Sequence, residues 1–372
     1  MHTTEGRRAE ASAPEPTTRA EPASAPASRP GPAPQAGLEP VPPIMRAAIA
    51  DRFGPPEVVR IGETPTPTPG PRELLVRVRA TTVSIADHRL RARDIPRGLG
   101  LLVAAKIGLR RPRTPVLGMD AAGVVAAVGA EVTRFAPGDE VILMRGQDFG
   151  CHAEFVVIAE DGEVARKPAG LSFEEAAAIV FGGHTALRFL EGVAIGPGSE
   201  VLVNGASGAV GSAAVQLAAD RGATVTAVTS GRNEALVRSL GASRVIDHAR
   251  EDFLADPEAR SRYDVIVECV GNASFRRSRH LLRPGGTLLL VIVDLRDLLT
   301  AARRARRAGL VADAGPERLG PDGMSRLAAL AESGVLRPVI DRTYAFDEIV
   351  DAHRYVDTGH KRGNVVVLVS DE

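Results

Sequence analysis

Apolar and charged residues alternate through ELLVRVRATTV (residues 73–83), and a period of two predicts a strand with one buried face. DAAGVVAAVGAEV (120–132), GDEVILM (138–144) and CHAEFVVIA (151–159) read as further strands, with a turn at Pro137-Gly138-Asp139. Residues 44–170 are therefore expected to form a compact, mostly antiparallel β-domain. LSFEEAAAIVFGGHTALRFL (171–190) reads as two helices. The pattern then changes to strand–helix alternation. EVLVNGA (200–206) leads into a helix whose Val210, Ala213, Ala214, Leu217 and Ala218 share one face. ATVTAVTS, SRVIDH, YDVIVECVG and GGTLLLVIV follow, separated by helical stretches. Five strands so connected predict a parallel, doubly wound sheet over residues 171–334, and an α/β fold overall. GMSRLAALAESG and DEIVDAHRYVDTG read as helices, and LRPVIDRTYAF and GNVVVLV as strands. These last strands are expected to return to the first domain, so that residues 335–372 complete it.

Residues 1–43 hold Ala, Pro, Glu, Ser, Thr and Arg with almost no large apolar side chain. Such a segment buries too little surface to offset its ordering entropy and is expected to be disordered. It lacks the apolar stretch of a secretory signal, and its glutamates argue against an organelle transit peptide. A second reading starts the chain at Met45. The 372 residues suffice for two domains. With 46 basic and 46 acidic residues there is no global basic field for nucleic acid, and 3% aromatics with no Trp offer no base-stacking surface. The longest apolar run, residues 99–109, is too short for a bilayer and contains Lys106. Cys151 and Cys269, the two cysteines, give neither a disulfide framework nor a Cys-x-x-Cys pair. A cytoplasmic enzyme acting on a small molecule is the expected class.

Candidate chemistry centres on VLVNGASGAVGSAAVQLA (201–218). A strand breaks into a helix through Ala206, Ser207, Gly208, Ala209, Val210 and Gly211, with Ala where the usual fingerprint has its first glycine. Small residues let the backbone approach a pyrophosphate, and the helix amino end offers unpaired N–H groups. The same residues could serve helix–strand packing alone. Their place at the first strand of the alternation favours a dinucleotide. The second strand ends in Ser230-Gly231-Arg232-Asn233 with no acid for ribose hydroxyls. A hydroxyl, a guanidinium and an amide suit a 2′-phosphate, which points to NADPH. Arg232 as a solvated loop residue is the alternative. His248 could add a contact to that phosphate.

VLGMDAAGVVAAVGAEVTRFAPGDEV, LVNGASGAVGSAAVQLA and HRYVDTGHKRGNVVVLV together resemble the medium-chain dehydrogenase/reductase superfamily, in its zinc-free quinone oxidoreductase branch. The resemblance runs from residue 44 to 369. It implies a GroES-like β-domain wrapped around a Rossmann domain, an active cleft between them, and a homodimer. Zinc-dependent relatives carry cysteine in the region that here reads TTVSIADH, and Gly-His-Glu where this chain has Gly118-Met119-Asp120. FGGHTAL also lacks a cysteine, so Asp120 and His184 make no three-donor zinc set. Without a Lewis acid a conjugated acceptor is easier to reduce than an isolated ketone. The implied activity is NADPH-dependent reduction of quinones or α,β-unsaturated carbonyl compounds. An enoyl-thioester reductase and a non-catalytic NADPH-binding regulator remain alternatives.

The resemblance carries Asp87, Arg91 and Thr185 over as residues near the nicotinamide, with an Asp87–Arg91 ion pair as another role for the first two and a hydroxyl bonded to its own helix backbone as another role for Thr185. It sets Cys269, Val270, Ile292 and Val293 beside the nicotinamide ribose. His184 either donates a proton or faces water. The insertion RDIPRGLGLLVAAKIGLRRPRTP (93–115) is expected to cover the cleft, with contact to an anionic membrane surface as the alternative. The basic run TAARRARRAG (300–309) reads as a solvated helix face.

Overall fold

The structure is a computed structural model and describes residues 39–96, 98–100, 104, 107–315, 319–320 and 322–370. Of the expected tail, residues 1–38 lie outside the described residues, while Glu39 pairs with Arg77 at 3.2 Å. In chain order, β1 (Ile44–Ala50) and β2 (Val59–Pro65) form an antiparallel pair. The alternating stretch forms β3 (Glu73–Val83), with Leu74, Val76, Val78 and Ala80 fully buried. Then come β4 (Asp120–Val128), β5 (Glu140–Met144), β6 (Phe155–Ala159) and β7 (Val164–Arg166). The 11 residues of β3 are long enough to hold two partners along one edge, β6 at its first half and the carboxyl-terminal strand at its second.

The parallel sheet contains β8 (Glu200–Asn204), β9 (Thr224–Thr229), β10 (Arg244–Asp247), β11 (Tyr263–Glu268), β12 (Leu282–Leu290) and β13 (Val311–Ala314). Its order is β10-β9-β8-β11-β12-β13. Six strands stand where five were expected, because the four residues of β13 carry too short an apolar pattern to announce a strand. The order reverses between β8 and β11, and that is where an open α/β sheet leaves a crevice at its carboxyl ends. Finally β14 (Ile340–Ala345) and β15 (Asn364–Leu368) join the β3 sheet, in the order β14-β15-β3-β4-β5-β7.

Residues 173–190 form one helix, Phe173–Leu190, in place of the two expected. Ser172 and Glu175 close a capping box at its start. The Gly182-Gly183 pair in its middle serves contact and not a break. A Cβ on Gly182 would collide with the Ala209 carbonyl, and one on Gly183 with Leu327 and Leu336. This helix packs on β3 and β4 on one side and on the helix Ala209–Asp220 on the other, so it joins the two sheets. Among the described residues, no helix is long and apolar enough to cross a membrane.

Candidate active site

β8 ends at Asn204, and Gly205 turns the chain with φ +80°. The Gly208 N–H donates to the Gly205 carbonyl (3.0 Å), and Gly208 caps the helix Ala209–Asp220 without any side-chain bond. A side chain on Gly211 would collide with the Gly205 carbonyl, so glycine there lets the first helical turn sit on the strand end. The amides that open the helix face a cavity of about 730 Å³, lined by Gly205, Ser207, Gly208, Ala209, Val210 and Gly211. Ala206 is fully buried beneath the turn and does not line it.

At the far end of this cavity, Thr229 Oγ1 and Asn233 Nδ2 both donate to Ser207 Oγ (2.8 and 3.0 Å). Asn233 Oδ1 is buried without a partner, and Ser230 Oγ lies 3.2 Å from His248 Nε2. Arg232 is exposed on the same rim and makes no ion pair among the described residues. Glu251 and Asp252 also line this end. A cavity of this volume, lined by a helix amino end together with hydroxyl, amide and cationic groups, fits a dinucleotide.

A second chamber of about 580 Å³ adjoins the first. The two share Ile85, Arg89, Phe181, Val210, Cys269 and Ile292. Met119, Met144, Phe149 and Phe189 make its walls apolar, while Arg145, His184, Thr185 and Arg188 add polar groups. Thr185 Oγ1 donates to the Phe181 carbonyl of its own helix at 2.8 Å. His184 Nε2 lies 2.7 Å from Glu163 Oε1. Burial pushes the Cys269 thiol far up, so it stays protonated and acts as a small wall group. Val270 borders the first cavity, Val293 the second, and Ile292 both.

Asp87 and Arg91 lie elsewhere. Both are fully buried and line none of the described cavities. Asp87 closes the capping box of the helix Ile85–Ala92, accepting from Ser84 N and Oγ (2.8 and 2.6 Å), and it also accepts from the Gly118 amide (2.8 Å). Arg91 is bidentate to Asp357 (2.6 and 2.7 Å) and donates to the Gly54 carbonyl (2.6 Å). The ion pair considered between Asp87 and Arg91 is thus replaced by one to the far end of the chain. Helical geometry explains this: Ile85, Ala86 and Arg89 share the cleft face, while Asp87, Leu90 and Arg91 turn inward.

Arg89, at the junction of both cavities, is the residue that motif matching missed. Its i, i+4 spacing from Ile85 was the available sequence clue. Lys361 was missed too. It reaches the dinucleotide cavity because Gly363 donates to the Ser207 carbonyl (2.7 Å), drawing the approach to β15 against the turn. Burial lowers its ammonium to about 8. From the insertion, Pro96 lines the second chamber, while residues 97, 101–103 and 105–106 lie outside the described residues.

A zinc site does not fit these residues. Among the described residues, no three His, Cys, Asp or Glu side chains come together as a metal set. Asp120 is fully buried and takes its bonds from Thr82 N and Oγ (3.0 Å each to Oδ1).

Comparison with known proteins agrees with this architecture. The alcohol dehydrogenase GroES-like domain family matches residues 70–169, and the zinc-binding dehydrogenase family matches residues 240–367. A 2-methylene-furan-3-one reductase of Solanum lycopersicum is 34% identical over 77% of this chain and 70% of that protein. The mitochondrial NAD(P)H oxidoreductase RTN4IP1 of Mus musculus is 30% identical over 88% of this chain and 89% of its own. The solved quinone oxidoreductase of Coxiella burnetii superposes with a TM-score of 0.77 at 31% identity, covering 88% of this chain and all of that one. With a GroES-like sheet, a Rossmann sheet and relatives at this identity, the chain belongs to the medium-chain dehydrogenase/reductase superfamily of nicotinamide-dependent oxidoreductases, in its quinone oxidoreductase-like branch.

Proposed function

We propose that the protein is a zinc-independent, NADPH-dependent reductase of quinones or α,β-unsaturated carbonyl compounds. The observation that carries this reading is the continuity of a dinucleotide-sized cavity with an apolar chamber through Arg89, Phe181 and Cys269. In this reading residues 171–334 hold most of the cofactor, with Lys361 reaching it from the last segment, and the acceptor site is shaped by residues 44–170 together with Phe181, His184, Thr185 and Phe189 of the helix Phe173–Leu190. Bound NADPH supplies a hydride at nicotinamide C4. The helix amino end at Ala209, Val210 and Gly211 binds the pyrophosphate, and Ser230, Arg232 and His248 bind the 2′-phosphate. Apolar walls orient the acceptor and exclude water. Arg89 donates to the oxygen that gains charge as the conjugated system is reduced. Asp87 and Arg91 act as positioning residues, fixing the helix that presents Ile85 and Arg89. A homodimer is supported by Leu299 and Val311, 70% and 52% exposed on the helix Leu295–Arg307 and the edge strand β13 that pack together.

The test is steady-state oxidation of NADPH and NADH with a cyclic enone, a 2-alkenal and a benzoquinone. The native chain should prefer NADPH and keep its rate after dialysis against a chelator. Arg232→Ala should raise KM for NADPH about tenfold, the loss of about 1.4 kcal/mol expected for one exposed phosphate contact, and leave that for NADH unchanged. Equal use of the two cofactors by the native chain, or zinc-restored activity, defeats the reading.

A further inference from the structure

Reduction of a carbon–carbon double bond needs a proton as well as a hydride, and among the described residues of the acceptor chamber the buried His184 and half-buried Glu163 form an acid–base pair suited to deliver it. His184 is 6% exposed in the helix Phe173–Leu190, beside Thr185, and both residues line the chamber. Its Nε2 lies 2.7 Å from Glu163 Oε1. The same oxygen accepts the Leu319 amide at 3.0 Å, so the carboxylate is anchored from a second element. Nε2 is the ring nitrogen that meets Glu163, which leaves Nδ1 as the ring nitrogen for a substrate in the chamber. Among the described residues, the other charged groups on the chamber are Arg89, Arg145, Asp148 and Arg188, the last bonded to Asp313 at 2.8 Å. This is the arrangement in which a carboxylate fixes the tautomer and orientation of an imidazole and stabilises its protonated form.

We propose that His184, held by Glu163, delivers the proton to the α-carbon of an unsaturated carbonyl substrate. The inference rests on the reductase reading above and adds the proton donor to it. Hydride addition at the β-carbon moves the π electrons onto the carbonyl oxygen and leaves an enolate. The imidazolium then gives up its Nδ1 proton. The N–H bond breaks as a C–H bond forms at the α-carbon, and the enolate collapses to the saturated carbonyl. The neutral ring keeps its Nε2 proton on Glu163 and regains the other from water. A quinone makes no such demand, because its reduced form is protonated on oxygen, which exchanges rapidly with solvent.

That contrast supplies the test, on the full chain with NADPH or NADH. His184→Gln should lower kcat on a cyclic enone by about a hundredfold, the usual size of a general-acid contribution, and change the benzoquinone rate by less than about threefold. In D2O the native enzyme should place deuterium on one face of the α-carbon, and the variant on both. Glu163→Gln keeps a hydrogen-bonding partner but removes its charge. It should shift the high-pH limb of the enone rate to lower pH and leave the quinone profile in place, and this decides the matter if His184→Gln fails to fold. Parallel loss on both acceptors, unchanged α-stereochemistry, or an unmoved limb in Glu163→Gln overturns the proposal. So does a native chain that reduces quinones but no enone, although the reductase reading then survives. A native chain that reduces neither defeats that reading as well.

Discussion

Asp120 sits fully buried where β3 and β4 pair, held by the amide and hydroxyl of Thr82. Burial, partly opposed by those bonds, pushes its carboxyl up to about 7. A group raised in the folded state from an ordinary 3.8 gives its full stability below that pH, and the contribution is lost as pH rises through about 7. Asp120→Asn keeps an acceptor for Thr82 and cannot ionise. Its stability relative to the native chain should be greater at pH 8 than at pH 5 by about 3 kcal/mol, the two units between pH 5 and the raised value at roughly 1.4 kcal/mol each. Urea midpoints at the two pH values check this, and an equal offset at both would show that Asp120 is already ionised at pH 5 in the folded chain. Residue identity was legible in the sequence at Arg232 and Gly211, whose places follow from the strand–turn–helix pattern around them. It misled at Arg91, because a spacing shared with a family motif does not say which helix face meets the cleft. That was fixed by Asp357, 266 residues away.

The helix Phe173–Leu190 decides how the two sheets meet. Gly182 lies against the carbonyl of Ala209, the first residue of the helix Ala209–Asp220, whereas Gly183 faces the movable ends of Leu327 and Leu336. Backbone yields less readily than a leucine rotamer. Gly182→Ala should therefore destabilise by about 1–3 kcal/mol, as overpacking does, and raise the cofactor KM several-fold by displacing the turn. Gly183→Ala should cost less and leave KM alone. Thermal melts and cofactor titrations of the two variants separate the effects, and an equal or larger KM change in Gly183→Ala refutes this account. A Gly-Gly pair inside a helical pattern reads locally as a break. Only the packing partner shows that the pair serves close approach, which is why sequence periodicity divided this element in two.

At the scale of the molecule, Arg91 ties the helix Ile85–Ala92 to the helix Ile349–Asp357 and to Gly54. Its side chain is fully buried, and Asp357 also bonds His88 at 2.7 Å. Asp357→Asn leaves a buried guanidinium without its counter-charge and should cost about 3 kcal/mol, the lower end for breaking a buried pair. Chemical denaturation measures this, and a loss below about 1 kcal/mol would show the pair to be solvent-screened.

The sequence by itself determined most elements and their order, all but the short strand β13 and the unbroken run of the helix Phe173–Leu190. Periods of two and of 3.6 and small residues at one turn are local properties, and they pointed to an antiparallel sheet, a parallel alternation and the turn that opens the first helix of that alternation. Tertiary structure decided which side chains share a cavity. Asp87 and Arg91 against Arg89, His184 beside Glu163, and Lys361 at a turn 150 residues earlier each depend on contacts between distant segments. A pattern read along the chain carries the phase of a helix but not the identity of the surface it will face.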